Sequence, residues 1–108
     1  MTPDSVQTFL SIVAATNDET RLRLLRFIQR YGPVCVCDVE HAFAMIQSRI
    51  SRHLKILKEA GFLKVDRRGR WSYYALAPSM TPLHRQLLEA IETLELAVPD
   101  LPTRCNAS

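Results

Sequence analysis

At Gly61 the sequence changes its period. Before it, in "SRISRHLKILKEAG", Ile50, Leu54, Ile56 and Leu57 recur at helical spacing. After it, "FLKVDR" and "WSYYAL" are short β-prone runs on either side of "RRGR". A 3.6-residue stripe and a two-residue alternation belong to different elements. The chain therefore needs an amphipathic helix that stops at a glycine and a β-hairpin that follows almost at once. Gly69 can take the positive φ that such a hairpin turn requires.

The rest of the chain is helical around that junction. Residues 4 to 15 carry a stripe of Val6, Phe9, Leu10, Ile12 and Val13. Asn17 or Asp18 can cap a second helix through Leu22, Leu24, Leu25, Phe27 and Ile28, which Gly32 and Pro33 stop. A short third helix runs through Val39, Ala42 and Phe43, and a last one covers roughly 82 to 97. The expected order is helix-helix-helix-helix-hairpin-helix, a mainly α chain with a small β-hairpin: a winged helix-turn-helix. Residues 1–98 form this DNA-binding and dimerisation domain, and 99–108 form a flexible tail with no periodicity. The terminal helices carry more apolar surface than 108 residues can cover, so a homodimer through those helices is expected.

Charge is unevenly placed. Between Arg49 and Tyr74, eight Lys or Arg face two acids, a net +6 inside a chain of +3 overall. Such a block is the electrostatic footprint of a phosphate-binding surface. At the start of the fourth helix, Gln47, Ser48, Arg49, Ser51, Arg52 and His53 are the residue types that meet base edges in a major groove. Lys55 is placed to face phosphate, and Arg67, Arg68 and Arg70 at the hairpin tip suit a flanking phosphate track or minor groove. Trp71, Tyr73 and Tyr74 are read as packing the hairpin rather than stacking on bases. Double-stranded DNA is thus the expected partner.

Two cysteines, Cys35 and Cys37, stand just before the third helix. In a regular helix, positions i and i+2 point about 200° apart. The pair can share one ion only if it precedes the helix or if binding unwinds the first turn. A helix N-terminus is expected to lower the pKa of both thiols, and soft thiolates select soft metals and metalloids. An odd count of three cysteines argues against a disulfide scaffold. His41 is read as solvated and His84 as a surface or interface residue. No Ser-His-Asp set, carboxylate pair, Gly-rich phosphate loop or Cys-x-x-Cys in a βαβ setting is recognisable, so an enzyme is not expected. No apolar run is long enough to span a membrane. The first residues lack a basic, apolar leader pattern, and a cytoplasmic protein is expected.

Together "NDETRLRLL", "VCVCDV", "SRISRHLKILKEAGFL" and "RRGRWSYYAL" resemble the ArsR/SmtB family of metal- and metalloid-responsive repressors over roughly residues 10 to 78. The resemblance implies a homodimer on a two-fold symmetric operator, released when a soft ion binds. The cysteine pair is similar to that of the arsenite and antimonite responders, which implies As(III) or Sb(III) as inducer. Those responders carry a third thiol where this chain has Glu40. Cys105 is then either the third ligand or an idle tail residue, and methylated arsenite is the inducer that two thiols alone would suit. A thiol-redox switch involving Cys105, or a response to Cd(II), stays open beside these. The chain departs from the family at Met45-Ile46, where a small polar N-cap is usual.

Overall fold

Helix α1 (Pro3–Ala15) is followed by α2 (Glu19–Tyr31), β1 (Val34–Cys35), α3 (Val36–Phe43), α4 (Gln47–Glu59), β2 (Leu63–Arg68), β3 (Trp71–Leu76) and α5 (Pro82–Glu92). This is a computed structural model, and it describes residues 3–101 and 104. The four helices, the hairpin and the closing helix stand in the expected order. Strand β1 is an addition. It pairs antiparallel with β3, Val34 opposite Tyr74 and Cys35 opposite Tyr73, giving a sheet of order β1-β3-β2. Two residues carry no readable period, so only the partner strand reveals them.

Helix α2 lies at the centre. Leu24, Leu25, Phe27 and Ile28 are all 1% exposed or less. They share one core with Val39, Ile50, Leu54, Leu57, Phe62, Leu63, Leu88 and Ile91. The Asp18 carboxylate caps α2 by accepting from the Arg21 amide at 3.0 Å. At the hairpin tip Arg68 faces Trp71, so Gly69 and Arg70 form a two-residue turn with Gly69 at φ 64°. A glycine at the first central position is what a type II′ hairpin turn favours.

Two expectations change. Helix α5 ends at Glu92 rather than near 97, because the Thr93 amide and hydroxyl both donate back to the Ala90 carbonyl, at 3.1 and 2.7 Å. Such a side-chain bond competes with helix continuation. Residues beyond it run back along α2: Arg23 Nε donates to the Ala97 carbonyl at 2.9 Å, and Leu96, Val98 and Leu101 pack on the core. His84 is not a surface residue but 4% exposed. Its Nδ1 accepts from the Thr81 amide at 3.0 Å, and Nε2–H donates to the Ala60 carbonyl at 2.8 Å. This pins α5 to the end of α4. At the Met45-Ile46 entry, where no small polar N-cap stands, the α3–α4 turn places Ala44 at φ 53°, and Ile46 caps α4 with no side-chain hydrogen bond.

On α1, Ile12 and Ala15 are buried, whereas Val6, Phe9, Leu10 and Val13 are 38–53% exposed. Among the described residues, no helix is long and apolar enough to cross a membrane.

Gly61 has φ 91°, and a Cβ there would stand 2.9 Å from His84 Nε2. Gly61→Ala is expected to cost roughly 1–2 kcal/mol from the left-handed backbone alone, with a further loss from displacing His84. Thermal unfolding of Gly61→Ala, His84→Ala and the double variant checks this: the two effects should be less than additive.

Candidate DNA-binding face and thiol site

Helix α4 buries Ile50, Leu54 and Leu57, and this turns Gln47, Ser48, Arg49, Arg52 and Lys55 outward into solvent. Ser51 is half-buried on the edge of that face. Arg67, Arg68 and Arg70 are exposed at the hairpin tip. Arg68 lies over the Tyr73 ring, its guanidinium carbon 4.8 Å from the centroid. Tyr74 packs on the core, while Trp71 stays 38% exposed. A row of cations and amides thus runs from the start of α4 to the hairpin.

His53 takes a different direction. Its side chain is 15% exposed and turns toward the start of α2, with Nδ1 3.3 Å from Arg21 Nη1 and 4.0 Å from the Asp18 carboxylate. The same Arg21 donates through Nε to the Ala15 carbonyl at 2.8 Å. His53 therefore braces α4 against the α1–α2 junction instead of standing among the outward residues. Burial holds its pKa below the ordinary value of 6.5, opposed by Asp18 and helped by Arg21, Arg49 and Arg52.

Cys35 is the N-cap of α3. Its Sγ accepts from the Asp38 amide at 3.4 Å, while the Asp38 carboxylate accepts from the Cys35 amide at 3.1 Å. This reciprocal pair is a capping box, with a thiol in the place of the usual hydroxyl. The side chains of Cys35 and Asp38 are buried, at 1% and 0% exposure. The backbone of Cys35 faces Tyr73 of the hairpin. One residue thus serves as helix cap and sheet member together.

Cys37 lies one residue inside the helix, and its sulfur stands in a disulfide in this structure. Cys105 lies outside the described residues. Among the described residues, no three of His, Cys, Asp and Glu gather as a metal site. The cysteines do share an open cavity of about 280 Å³, with Val36, Glu40, Gln47, Arg70, Trp71 and Ser72 as its other walls. It therefore borders the first residue of α4 and the base of the hairpin. His41 is exposed and lines no part of it.

The expectation that both thiols are acidified fails at Cys35. Burial pushes its pKa up, the Asp38 carboxylate adds to the rise, and the amide bond from Asp38 offsets only part. A helix terminus stabilises a thiolate that water can reach, and this one is enclosed. Sequence reading also missed Asp38, although an acid three residues after an N-cap is the capping-box spacing.

The family description "Bacterial regulatory protein, arsR family" matches residues 18–65. Two arsenic resistance transcriptional regulators of Pseudomonas putida are similar. ArsR1 is 48% identical over 58% of this chain and 49% of its own length. ArsR2 is 36% identical over 72% of this chain and 68% of its own. The chain belongs to the ArsR family. It spans about half the length of the first curated relatives it matches. Among solved structures, the AntR antimony-specific transcriptional repressor superposes with TM-score 0.65 at 27% identity, covering 82% of this chain and 78% of that one. The cadmium sensor CMTR of Mycobacterium tuberculosis superposes with TM-score 0.61 at 30% identity, over 92% and 97%. The ArsR-family winged-helix fold accounts for the outward face of α4 and the basic hairpin.

The lowered pKa of His53 has a consequence for stability. A depressed imidazole favours the neutral form on folding, so its contribution is present above pH 6.5. It is lost as pH falls through the lower folded value. Denaturant melts at pH 7.5 and 5.5 are expected to show a smaller acid-side loss in His53→Gln than in wild type. An unchanged pH slope would contradict the burial of a neutral imidazole.

Proposed function

We propose that this chain is a dimeric transcriptional repressor, released from operator DNA when As(III) or Sb(III) binds its cysteine thiolates. The single observation that carries this is the double engagement of Cys35, whose sulfur caps α3 while its backbone is paired to the hairpin.

Gln47, Ser48, Arg49, Ser51 and Arg52 read base edges from α4. Lys55, Arg67, Arg68 and Arg70 hold phosphate or a flanking groove, and position rather than specify. The exposed apolar residues of α1, with α5, form the face that a second copy covers. Two-fold symmetry then places two half-sites about one helical turn apart.

Trivalent arsenic forms directional bonds to sulfur, and the donor set here suits a soft ion. A sulfur bonded to arsenic is a poor acceptor, so the Asp38 amide loses its cap. Cys37 belongs to the first helical turn, on another side from Cys35. Gathering both sulfurs on one ion therefore opens that turn. The strain passes to Gln47 and Arg70, which wall the same cavity. Cys105 supplies the third thiolate for arsenite; a methylated arsenical fills that position with its own carbon. The similarity to AntR, an antimony-specific transcriptional repressor, supports the same class of inducer.

A second reading keeps the repressor but makes the switch oxidative. Its support is the disulfide at Cys37, which would close on Cys105 in the oxidised protein.

Gel-shift titrations with the reduced chain separate these. Arsenite or antimonite should release the operator, and Cys35→Ser or Cys37→Ser should abolish release while leaving DNA affinity intact. Arg52→Ala should weaken operator binding without changing the inducer response. Release by peroxide in chelated, arsenic-free buffer, absent in Cys105→Ser, would favour the oxidative switch. Arsenite that leaves wild-type binding unchanged would remove the first reading.

A further inference from the structure

Helix α1 ends at Ala15, and the carbonyls of a last helical turn have no partner further along the helix. Arg21, in the first turn of α2, takes two of them. Its Nε donates to the Ala15 carbonyl at 2.8 Å and its Nη2 to the Ala14 carbonyl at 3.3 Å. A cation placed there also meets the negative end of the α1 dipole. The remaining arm of the guanidinium reaches α4, where Nη1 lies 3.3 Å from His53 Nδ1. A guanidinium has donors only, so Nδ1 is the accepting nitrogen and the imidazole is neutral, with its proton on Nε2. Burial of the ring favours the same neutral form. Asp18 fixes the base of the arrangement: its carboxylate accepts the Arg21 amide at 3.0 Å and stands 4.0 Å from His53 Nδ1. One planar fork thus joins the end of α1 to the side of α4.

The two helices it joins have different faces. On α1, Val6, Phe9, Leu10 and Val13 are the exposed apolar residues assigned above to contact with a second copy. On α4, Arg49 and Arg52 point outward, whereas the His53 side chain is turned inward and 15% exposed. We propose that Arg21 is a positioning residue for operator recognition: with His53 as its acceptor, it keys the DNA-reading helix to the dimer-forming helix, so that two copies present α4 at the separation of two half-sites. This rests on the dimeric repressor reading above. Binding to a two-fold operator is bivalent, and its gain over a single half-site exists only where the linked heads match the spacing. A brace that sets α4 on α1 therefore acts on that gain, and not on the contact of one α4 with one half-site. Neither Arg21 nor His53 has to touch DNA for this.

The test uses the reduced full-length chain, an operator duplex that the wild type selects from random-sequence DNA, and a duplex that keeps one of its half-sites. Arg21→Met removes the donors and keeps the apolar stem; His53→Leu removes the acceptor. Each should lower affinity for the full operator by roughly tenfold and leave half-site affinity unchanged. The double variant should lose no more than either alone, because the two residues make one contact. His53→Asn, which puts an amide oxygen near the place of Nδ1, should keep the wild-type ratio of full-operator to half-site affinity. Equal losses on the two duplexes overturn the proposal, since they would make the brace merely structural or His53 a direct DNA contact. A wild-type ratio in His53→Leu also overturns it, and this keeps the test decisive where Arg21→Met does not fold. A wild-type chain that binds the full and half duplexes alike would instead defeat the dimeric repressor reading itself.

Discussion

The reciprocal bond between Cys35 and Asp38 is where the separate parts of this molecule meet. A helix start leaves amide groups without acceptors, and here a thiol and a carboxylate take them. The same two residues tie β1 to α3, and β1 in turn ties α3 to the hairpin through Tyr73 and Tyr74. Because the bond is buried, it is sensitive. An enclosed sulfur acceptor cannot be exchanged for water, so any ligand that takes the sulfur must rearrange its surroundings. Burial also raises the Cys35 pKa above its ordinary value, and the Asp38 carboxylate adds to the rise.

The other end of the DNA-facing helix is held differently. The carbonyl of Ala60 receives His84 Nε2, and Gly61 leaves room for that ring. Midway, His53 rests on Arg21 and Asp18. The start of α4 has no side-chain cap, and Ile46 there is 63% exposed. The side-chain braces described for α4 are thus at its middle and C-terminus. The uncapped end is the one that carries Gln47 and adjoins the thiol cavity. The Met45-Ile46 entry, where this chain departs from the family, thus lies beside the thiol cavity.

Much of this was legible in the amino-acid order. The change of period at Gly61, the glycine at the hairpin tip and the apolar stripes of α2 and α4 are local properties, so propensity and periodicity reveal them. The cation-rich outward face of α4 follows from the same stripe, since burying Ile50, Leu54 and Leu57 leaves Arg49, Arg52 and Lys55 to solvent. The apolar pattern of α1 likewise announced a surface in excess of what one chain covers.

Other features depended on residues far apart in the chain. Nothing near His53 indicates that it turns toward Arg21, 32 positions away, nor does the last helix reveal that His84 meets Ala60. Strand β1 exists because β3 offers it a free edge. The acidity of Cys35 was misjudged because a helix terminus is a local feature, whereas burial is set by everything packed around it. The sequence by itself determined which elements form and which faces are charged or apolar, since those follow from neighbours along the chain. The tertiary structure alone decided that Cys35 would pair with the hairpin and that Asp38 would meet Arg104, because each of those contacts joins segments that only folding brings together.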